Sequence, residues 1–418
     1  MSKETFYTAV DIGSNKVCSI VARVGAEGDL KILGTGIVTS QGMQKGRIDN
    51  IDEVKIAVKS SLEEAQRYIG RGVIAGVYAG VSGSHITCLN TKDVMENPNA
   101  ADDIGTQQLD QLIQSSFPQI DLSQEILHMI PIGYEVDGME AVRNPTGLHA
   151  KQINVESHVV VGDAATLRNT VKAVEASRVS VRSLVVESLA SAEATLTGDE
   201  KEMGTVLVDI GGGTIDLIIY RQGNPWYSAV IPVGGNQLTR DLAVAMRIPY
   251  FLAEDIKVKW GHAMPELVRA DEEVVVPSFQ GQPRRIAKRR DLCEPLHARS
   301  LEMLKQILLR VRQSGLRQLP TAGMVITGGC AELPGIRELA LKTLGGPVRL
   351  AYPQGIAGLP TQLQKASTST AVGLLLWGIK HQGEKRSYGN GYRAPKVHKS
   401  FRERFMGGRK QEQGVQVG

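Results

Sequence analysis

The sequence predicts an α/β chain built twice over, with two large domains facing each other across a cleft and a small α+β unit inserted in the first. Three observations carry this. Val206-Leu-Val-Asp209-Ile-Gly211-Gly212-Gly213-Thr214-Ile-Asp216-Leu-Ile-Ile219 sets a glycine turn between two short β-branched runs, which reads as strand, tight turn, strand. Val10-Asp11-Ile-Gly13-Ser14-Asn15-Lys16-Val17 is a near-copy, set between apolar runs at 6–10 and 17–24, so the chain looks internally duplicated. At 418 residues it is long enough for two domains or more, each with its own core.

Both turns suit an anion. Glycine tolerates positive φ and puts no Cβ between a backbone N–H and a phosphate. Gly13, Ser14, Asn15 and Lys16 in the first turn, and Gly211, Gly212, Gly213 and Thr214 in the second, are therefore candidate phosphate ligands. Asp11 and Asp209 close the leading strands, where a carboxylate can hold a hydrated Mg²⁺ against that phosphate. One Gly-Gly-Gly-Thr turn is also an ordinary hairpin; two facing each other would clamp a nucleotide from both sides.

The pair resembles the two phosphate loops of the actin, DnaK-chaperone and sugar-kinase superfamily. That superfamily also carries a late Gly-Gly adenosine motif, to which Met324-Val-Ile-Thr327-Gly328-Gly329-Cys330-Ala331 is similar in order and spacing. The resemblance implies an actin-like duplicated fold around a nucleotide cleft, with ATP and Mg²⁺ as cofactors and Gly328, Gly329 and Ala331 beside the nucleoside.

In chain order, residues 6–38 read as three strands, with turns at Gly13 and at 25–29. Asn50-Ile-Asp-Glu opens a helix to Tyr68, with Val54, Ala57, Val58, Leu62 and Ala65 in the i, i+3, i+4 rhythm. Residues 73–81 return as a strand. From 84 to 162 the texture changes: a strand near 85–90, a polar helix over 106–114, then strand-like pieces at 125–131, 134–136 and 153–161. This is the inserted α+β unit.

Several phrases here resemble the bacterial cell-division family FtsA: Gly42-Met43-Gln-Lys45-Gly46, Val81-Ser82-Gly83-Ser84-His85-Ile86, His128-Met-Ile-Pro131-Ile-Gly-Tyr134-Glu-Val-Asp137 and Asn144-Pro145-Thr-Gly147-Leu148. That family carries an inserted subdomain at this place, and the resemblance runs to about Lys380. By themselves Gly42, Gly83 and Gly147 read as turn glycines, and His85 and His128 as packed or hydrogen-bonded. Neither histidine is assigned a reaction.

A helix over 166–177 and a strand over 184–186 lead to Glu187, which opens a helix crossing between the large domains. A Glu at this place positions the attacking water in relatives such as MreB, so Glu187 is the candidate catalytic residue; it is also an ordinary first-turn residue favoured by the helix dipole. Gly234 and Gly235 fall at a helix N-terminus, where free N–H groups suit phosphate or ribose oxygens. Glu254 and Lys257, three apart and so on one helix face, resemble the pair that reaches the ribose and adenine in DnaK-type chaperones.

The cluster Arg284-Arg285-Ile-Ala-Lys288-Arg289-Arg290 precedes a long helix over 291–313. Such runs are commonly solvated faces. In the FtsA family this small domain binds the C-terminal peptide of FtsZ, so Arg284, Arg285 and Arg289 are candidates for a rim facing that peptide's carboxylates. After the Gly328-Gly329 turn and a helix over 335–344, residues 369–377 resemble the second interdomain helix. The domain limits that follow are 1–83 with 163–198, the insert at 84–162, 199–232 with 314–380, and a small subdomain at 233–313.

Composition sets the outer limits. A net charge of +4 is concentrated in the tail, where residues 381–418 hold nine Lys or Arg against three Asp or Glu, leaving the rest with 39 against 41. This argues against a nucleic-acid-binding body and for a short segment that meets an anionic surface. Cys18, Cys88, Cys293 and Cys330 are scattered, indicating neither disulfides nor a zinc site. No apolar run spans a bilayer and no signal-peptide segment precedes the first strand, which predicts a cytosolic chain.

Residues 381–395 read as a linker, and 396–418 as a basic amphipathic tail. Val397, Phe401 and Phe405 recur at i, i+4, i+8, with Arg402 among the flanking cations. That stripe, about 80° wide, is an in-plane membrane anchor in outline. Two Phe and one Val bury roughly 1.5–3 kcal/mol each, so one copy binds marginally and many copies on one polymer bind tightly.

The FtsA resemblance implies an ATP-binding protein with weak or no ATPase activity. It would polymerise on the cytoplasmic face of the membrane at the division site, tether FtsZ filaments there and recruit later division proteins through the insert. Two alternatives share the phosphate loops: a small-molecule kinase of the sugar- or acetate-kinase type, and a pilus-assembly actin relative such as PilM.

Overall fold

The computed structural model describes residues 4–69, 73–74, 76–97, 103–276 and 285–381. It opens with three antiparallel strands, β1 (Thr5–Ile12), β2 (Lys16–Val24) and β3 (Leu30–Thr39). A two-residue-stranded hairpin, β4 (Met43–Gln44) and β5 (Arg47–Ile48), leads to α1 (Ile51–Gln66) and then β6 (Gly76–Val81). The Asn50 side chain caps α1 by accepting from the Asp52 and Glu53 amides at 3.2 and 3.4 Å. Val54, Ala57, Val58, Leu62 and Ala65 are buried, as their spacing predicts, against β2 and β3.

The insert follows as β7 (Thr87–Glu96), α2 (Thr106–Ser115), β8 (Gln124–Val136), β9 (Met139–Val142) and β10 (Gln152–Asp163), in sheet order β7-β10-β8-β9. Two pieces expected near 125–131 and 134–136 are one 13-residue strand. It passes through Pro131 because the pairing with β10 shifts register there, between Glu156 and Ser157, sparing proline a ladder donor. Leu109, Leu112 and Ile113 of α2 close a core of its own with Ile126, Met129, Ile153 and Val155.

The chain returns to the first domain through α3 (Ala164–Glu175) and β11 (Ser180–Val186), and leaves it through α4 (Glu187–Thr195) and α5 (Gly198–Met203). The second domain holds β12 (Thr205–Ile210), β13 (Ile215–Arg221), β14 (Asn224–Ile231), α6 (Gly235–Met246) and α7 (Tyr250–Trp260). Next come the hairpin β15 (Glu273–Val276) and β16 (Arg285–Lys288), then α8 (Arg289–Gln313), β17 (Met324–Thr327), α9 (Ile336–Leu344), β18 (Val348–Leu350) and α10 (Ser369–Lys380). The long helix starts at Arg289 rather than 291, because Arg285–Lys288 pairs with Glu273–Val276 and spends the basic run as a strand.

The duplication is explicit in the topology. One sheet runs β3-β2-β1-β6-β11 and the other β14-β13-β12-β17-β18; each is an antiparallel meander extended by two parallel strands. The helices that follow the last strand of each sheet exchange sides: α4 packs on β12 and β13, and α10 on β1 and β6. They cross at Gly373, where an added Cβ would lie 1.8 Å from the Ala190 carbonyl oxygen, so the two backbones touch.

The insert also reaches the second domain. The buried His158 ring lies 2.9 Å from Asn90 Oδ1 and 3.1 Å from Ser228 Oγ on β14, and Cys88 Sγ donates to the Ser228 carbonyl at 3.0 Å. Burial pushes His158 down to about 4, so it is a neutral tether at physiological pH.

Candidate functional site

Each sheet delivers the same hairpin to the cleft. Asp11 pairs across its hairpin with Cys18, and Asp209 with Asp216. The Gly13 amide donates to Lys16 O at 3.0 Å, and the Gly211 amide to Thr214 O at 2.9 Å, so the two turns close alike. Their tips meet: a Cβ on Gly212 would fall 2.8 Å from the Asn15 side chain, and one on Gly213 would fall 2.3 Å from Ser14 Oγ. Gly234, the N-cap of α6, and Gly235, its first residue, lock onto the second tip. Gly235 and Asn236 amides donate to Gly211 O and Gly212 O at 2.9 and 2.8 Å.

Four carboxylates converge behind these turns. Burial, opposed by Lys16 and reinforced by Asp209, pushes Asp11 up to about 7. Burial likewise pushes Asp216 up to about 7, against a hydrogen bond from Ser82, with Asp209 and Asp11 adding to the rise. Asp209 is raised by burial, moderated by bonds from Ser191 and Thr370. Glu187, the first residue of α4, is held well above the usual carboxylate range by burial and then by Asp216, Asp11 and Asp209. Such a cluster is short of positive charge. Hard carboxylate and hydroxyl oxygens around it suit a hydrated divalent cation, which would relieve the mutual repulsion.

Asp209 owes its orientation to both crossing helices. Ser191 Oγ on α4 and Thr370 Oγ1 on α10 donate to its Oδ2 at 2.5 and 2.8 Å and lie 3.1 Å from each other. Gly328, at φ +87°, follows β17; a Cβ there would lie 2.3 Å from Asp209 Oδ1. Sequence reasoning missed Ser82, Ser191, Asp216 and Thr370. The available signal was weak: small hydroxyls on otherwise apolar helix faces, and a second Asp one hairpin pairing away from the first.

The residues expected beside a nucleoside lie on the second domain. On α7, Lys257 Nζ and Glu254 Oε2 are 2.7 Å apart. Lys257 Nζ also donates to Thr239 Oγ1 at 2.9 Å and to Gly235 O at 3.3 Å, which ties α7 to the start of α6. Gly329 and Ala331 sit in a 3-10 turn over Gly329–Glu332, whose Cys330 Sγ would be 2.8 Å from a Cβ on Gly235. Gly234, Gly235, Glu254, Lys257, Gly328, Gly329 and Ala331 thus border one side of the cleft.

The basic rim divides. Arg289 is committed internally, with NH1 2.9 and 3.0 Å from the Glu272 carboxylate and Nε donating to Trp260 O at 2.8 Å. Arg285 bonds the Met246 carbonyl. Arg284 lies outside the described residues, as do Val397, Phe401, Arg402 and Phe405. His128 is packed as expected: it accepts from the Val186 amide at 3.1 Å and meets Trp377 edge-on. Among the described residues no helix is long and apolar enough to cross a membrane, and no group of three or more His, Cys, Asp or Glu is placed to hold a metal by itself.

Residues 206–373 match the family described as "Cell division protein FtsA", and residues 83–161 match the "SHS2 domain inserted in FTSA". The "Cell division protein FtsA" of Pseudomonas aeruginosa is 34% identical over 379 residues, covering 90% of each chain. Among solved structures, the fold is similar to the "PilM-PilN type IV pilus biogenesis complex", with a TM-score of 0.63 at 14% identity over 91% of this chain and 99% of that one. It is similar also to MreB5 of Spiroplasma citri bound to ADP, with a TM-score of 0.52 at 13% identity over 90% and 96%. The actin-like fold expected from the paired hairpins is thereby established, as is the FtsA-type insert.

Proposed function

Because this chain belongs to the FtsA family of cell-division proteins, we propose that it acts in division as an ATP-binding, actin-like adaptor at the cytoplasmic face of the membrane. The observation that carries the reading is the pair of congruent hairpins closed tip to tip across the cleft. Backbone N–H groups from both turns would take the phosphates, Asp11 and Asp209 would hold Mg²⁺ through water, and Glu254, Lys257, Gly328 and Gly329 would frame the nucleoside. The ADP carried by MreB5 on a similar fold supports a nucleotide here.

Hydrolysis would be slow. Burial and then three neighbouring acids raise the pKa of Glu187, which disfavours the charged form that a general base needs. The bound state matters more than turnover: it would set the closure that lets copies stack into a filament. Residues 396–418 would anchor that filament, residues 233–313 would take the C-terminal peptide of FtsZ, and the insert at 84–162 would meet later division proteins. Arg284 and Arg285 remain candidates for the FtsZ rim, with Arg289 supporting it through Glu272.

Liposome co-sedimentation with MgATP tests this, using the full chain and a truncation ending at Gly391. The full chain is expected to pellet with anionic vesicles and to bring FtsZ with it, and the truncation to stay in solution. Equal pelleting of both removes the anchor; vesicles bearing the full chain but no FtsZ remove the adaptor role. Rapid ATP turnover stimulated by one small molecule, without lipid binding, would favour a kinase.

A further inference from the structure

The hairpin β4–β5 stands between the first domain and the glycine turn of the second. Met43 pairs with Ile48 and Gln44 with Arg47, leaving a two-residue loop, Lys45-Gly46, with φ of +49° and +77°. Both values are those of a type I′ turn, whose first position favours Asn, Asp or Gly; Asp137-Gly138 in the insert is such a turn. A lysine there meets no demand of the turn, and a residue with a Cβ is disfavoured in the left-handed region.

The loop occupies the same position after the third strand of the first sheet as Gly234-Gly235 does after the third strand of the second. Both segments clip onto the hairpin of their own domain, Ser40 N–H to Asn15 O at 3.0 Å and Gly235 N–H to Gly211 O at 2.9 Å. The Lys45 loop then crosses the cleft. Gly46 packs on the backbone of Gly83, and the Lys45 amide nitrogen would be 3.3 Å from a Cβ on Gly213, in the glycine turn of the opposite domain.

Lys45 lines a cavity of about 210 Å³ together with Gly213, Asn236, Arg240 and the carboxylates Asp49 and Glu53. Among the described residues neither Lys45 nor Arg240 has an ion-pair partner. Two cations at a domain junction, Lys45 and Arg240, set against the glycine turn of the opposite domain, are an arrangement for a phosphoryl group.

We propose that Lys45 is a phosphate-binding residue supplied by the first domain, closing over the terminal phosphate of a nucleoside triphosphate from the side opposite its own glycine turn. The proposal rests on the nucleotide reading of the cleft and gives it a specificity: Lys45 senses the third phosphate and contributes little to a diphosphate.

Isothermal titration of the full chain with MgATP and MgADP separates the two. Lys45→Asn removes the charge while placing a favoured residue in the turn, so its melting temperature should equal or exceed that of the parent. It should weaken MgATP by about tenfold, as loss of a charge-assisted bond does, and leave MgADP within about twofold; Lys45→Arg should keep the preference for ATP. Unchanged ATP affinity in Lys45→Asn, or equal weakening of both nucleotides, overturns the proposal and leaves the nucleotide site standing. A parent protein that binds neither nucleotide overturns both.

Discussion

Ser82 Oγ, at the end of β6 in the first domain, donates to Asp216 Oδ1 of the second domain at 2.7 Å and lies 3.3 Å from Thr214 Oγ1. It is a direct polar bond across the cleft, made between residues 134 apart in sequence. Ser82→Ala deletes the donor and leaves Asp216 with Thr214 alone. Loss of one bond to a buried, charged acceptor corresponds to about 1–3 kcal/mol, read as a lower urea midpoint at pH 8. An unchanged midpoint would mean that the closed cleft does not depend on this bond.

The same carboxylate gives a pH signature. The ordinary pKa of Asp216 is 3.8, and in the fold it is pushed up to about 7, so the folded state holds the proton more tightly than the unfolded chain. Stability from this group is therefore full below about pH 4 and is lost as pH rises to about 7. His85 and His158, both pushed down to about 4, act in the opposite sense over much of that range, so the difference between parent and variant is the clean measure. Asp216→Asn keeps an acceptor for Ser82 and removes the charge. Its melting temperature relative to the parent should rise from pH 5 to about pH 7 and level off above that in nucleotide-free protein; a flat difference throughout would refute the raised pKa.

Gly373→Ala tests the helix crossing. Alanine gains up to about 1 kcal/mol of helix propensity, yet its Cβ would sit 1.8 Å from Ala190 O and 2.4 Å from its carbonyl carbon. Backbone contact leaves no rotamer to give way, so the helices must separate, and overpacking of this kind costs about 1–3 kcal/mol or more. Thermal unfolding should show net destabilisation. A stabilised variant would mean that α4 and α10 do not cross as closely as this.

Glu187→Gln separates catalysis from packing. An amide resembles the protonated acid that burial and three neighbouring carboxylates favour, so the melting temperature of the free protein should be unchanged or higher. If Glu187 orients or deprotonates the attacking water, ATP turnover should fall by about 100-fold or more with ATP affinity kept. Unaltered turnover would assign any hydrolysis to another group.

The glycine turns were legible because their chemistry is local. Asp11-Ile-Gly13 and Asp209-Ile-Gly211 each announce strand, turn and carboxylate within a few residues, and the late Gly328-Gly329 pair does the same. The helix α1 was legible through its apolar rhythm, down to its Asn50 cap. The start of α8 was not, because Arg285–Lys288 has no strand-forming pattern and becomes one only by pairing with Glu273–Val276. Arg289 read as a candidate for a peptide-facing rim, and its internal partner was hidden for the same reason: Glu272, 17 residues earlier, is brought beside it by that hairpin.

What the sequence determined by itself was the duplicated hairpin and the resemblance to a family that carries an inserted domain. Tertiary structure alone decided how the halves meet. Ser191 and Thr370, 179 residues apart, share one oxygen of Asp209; Ser82 crosses to Asp216; Lys45 reaches the glycine turn of the opposite domain. Turn propensity acts over neighbours along the chain, whereas a hydrogen bond between hydroxyl and carboxylate acts over three ångströms in space, and only the crossing of α4 and α10 turns one distance into the other.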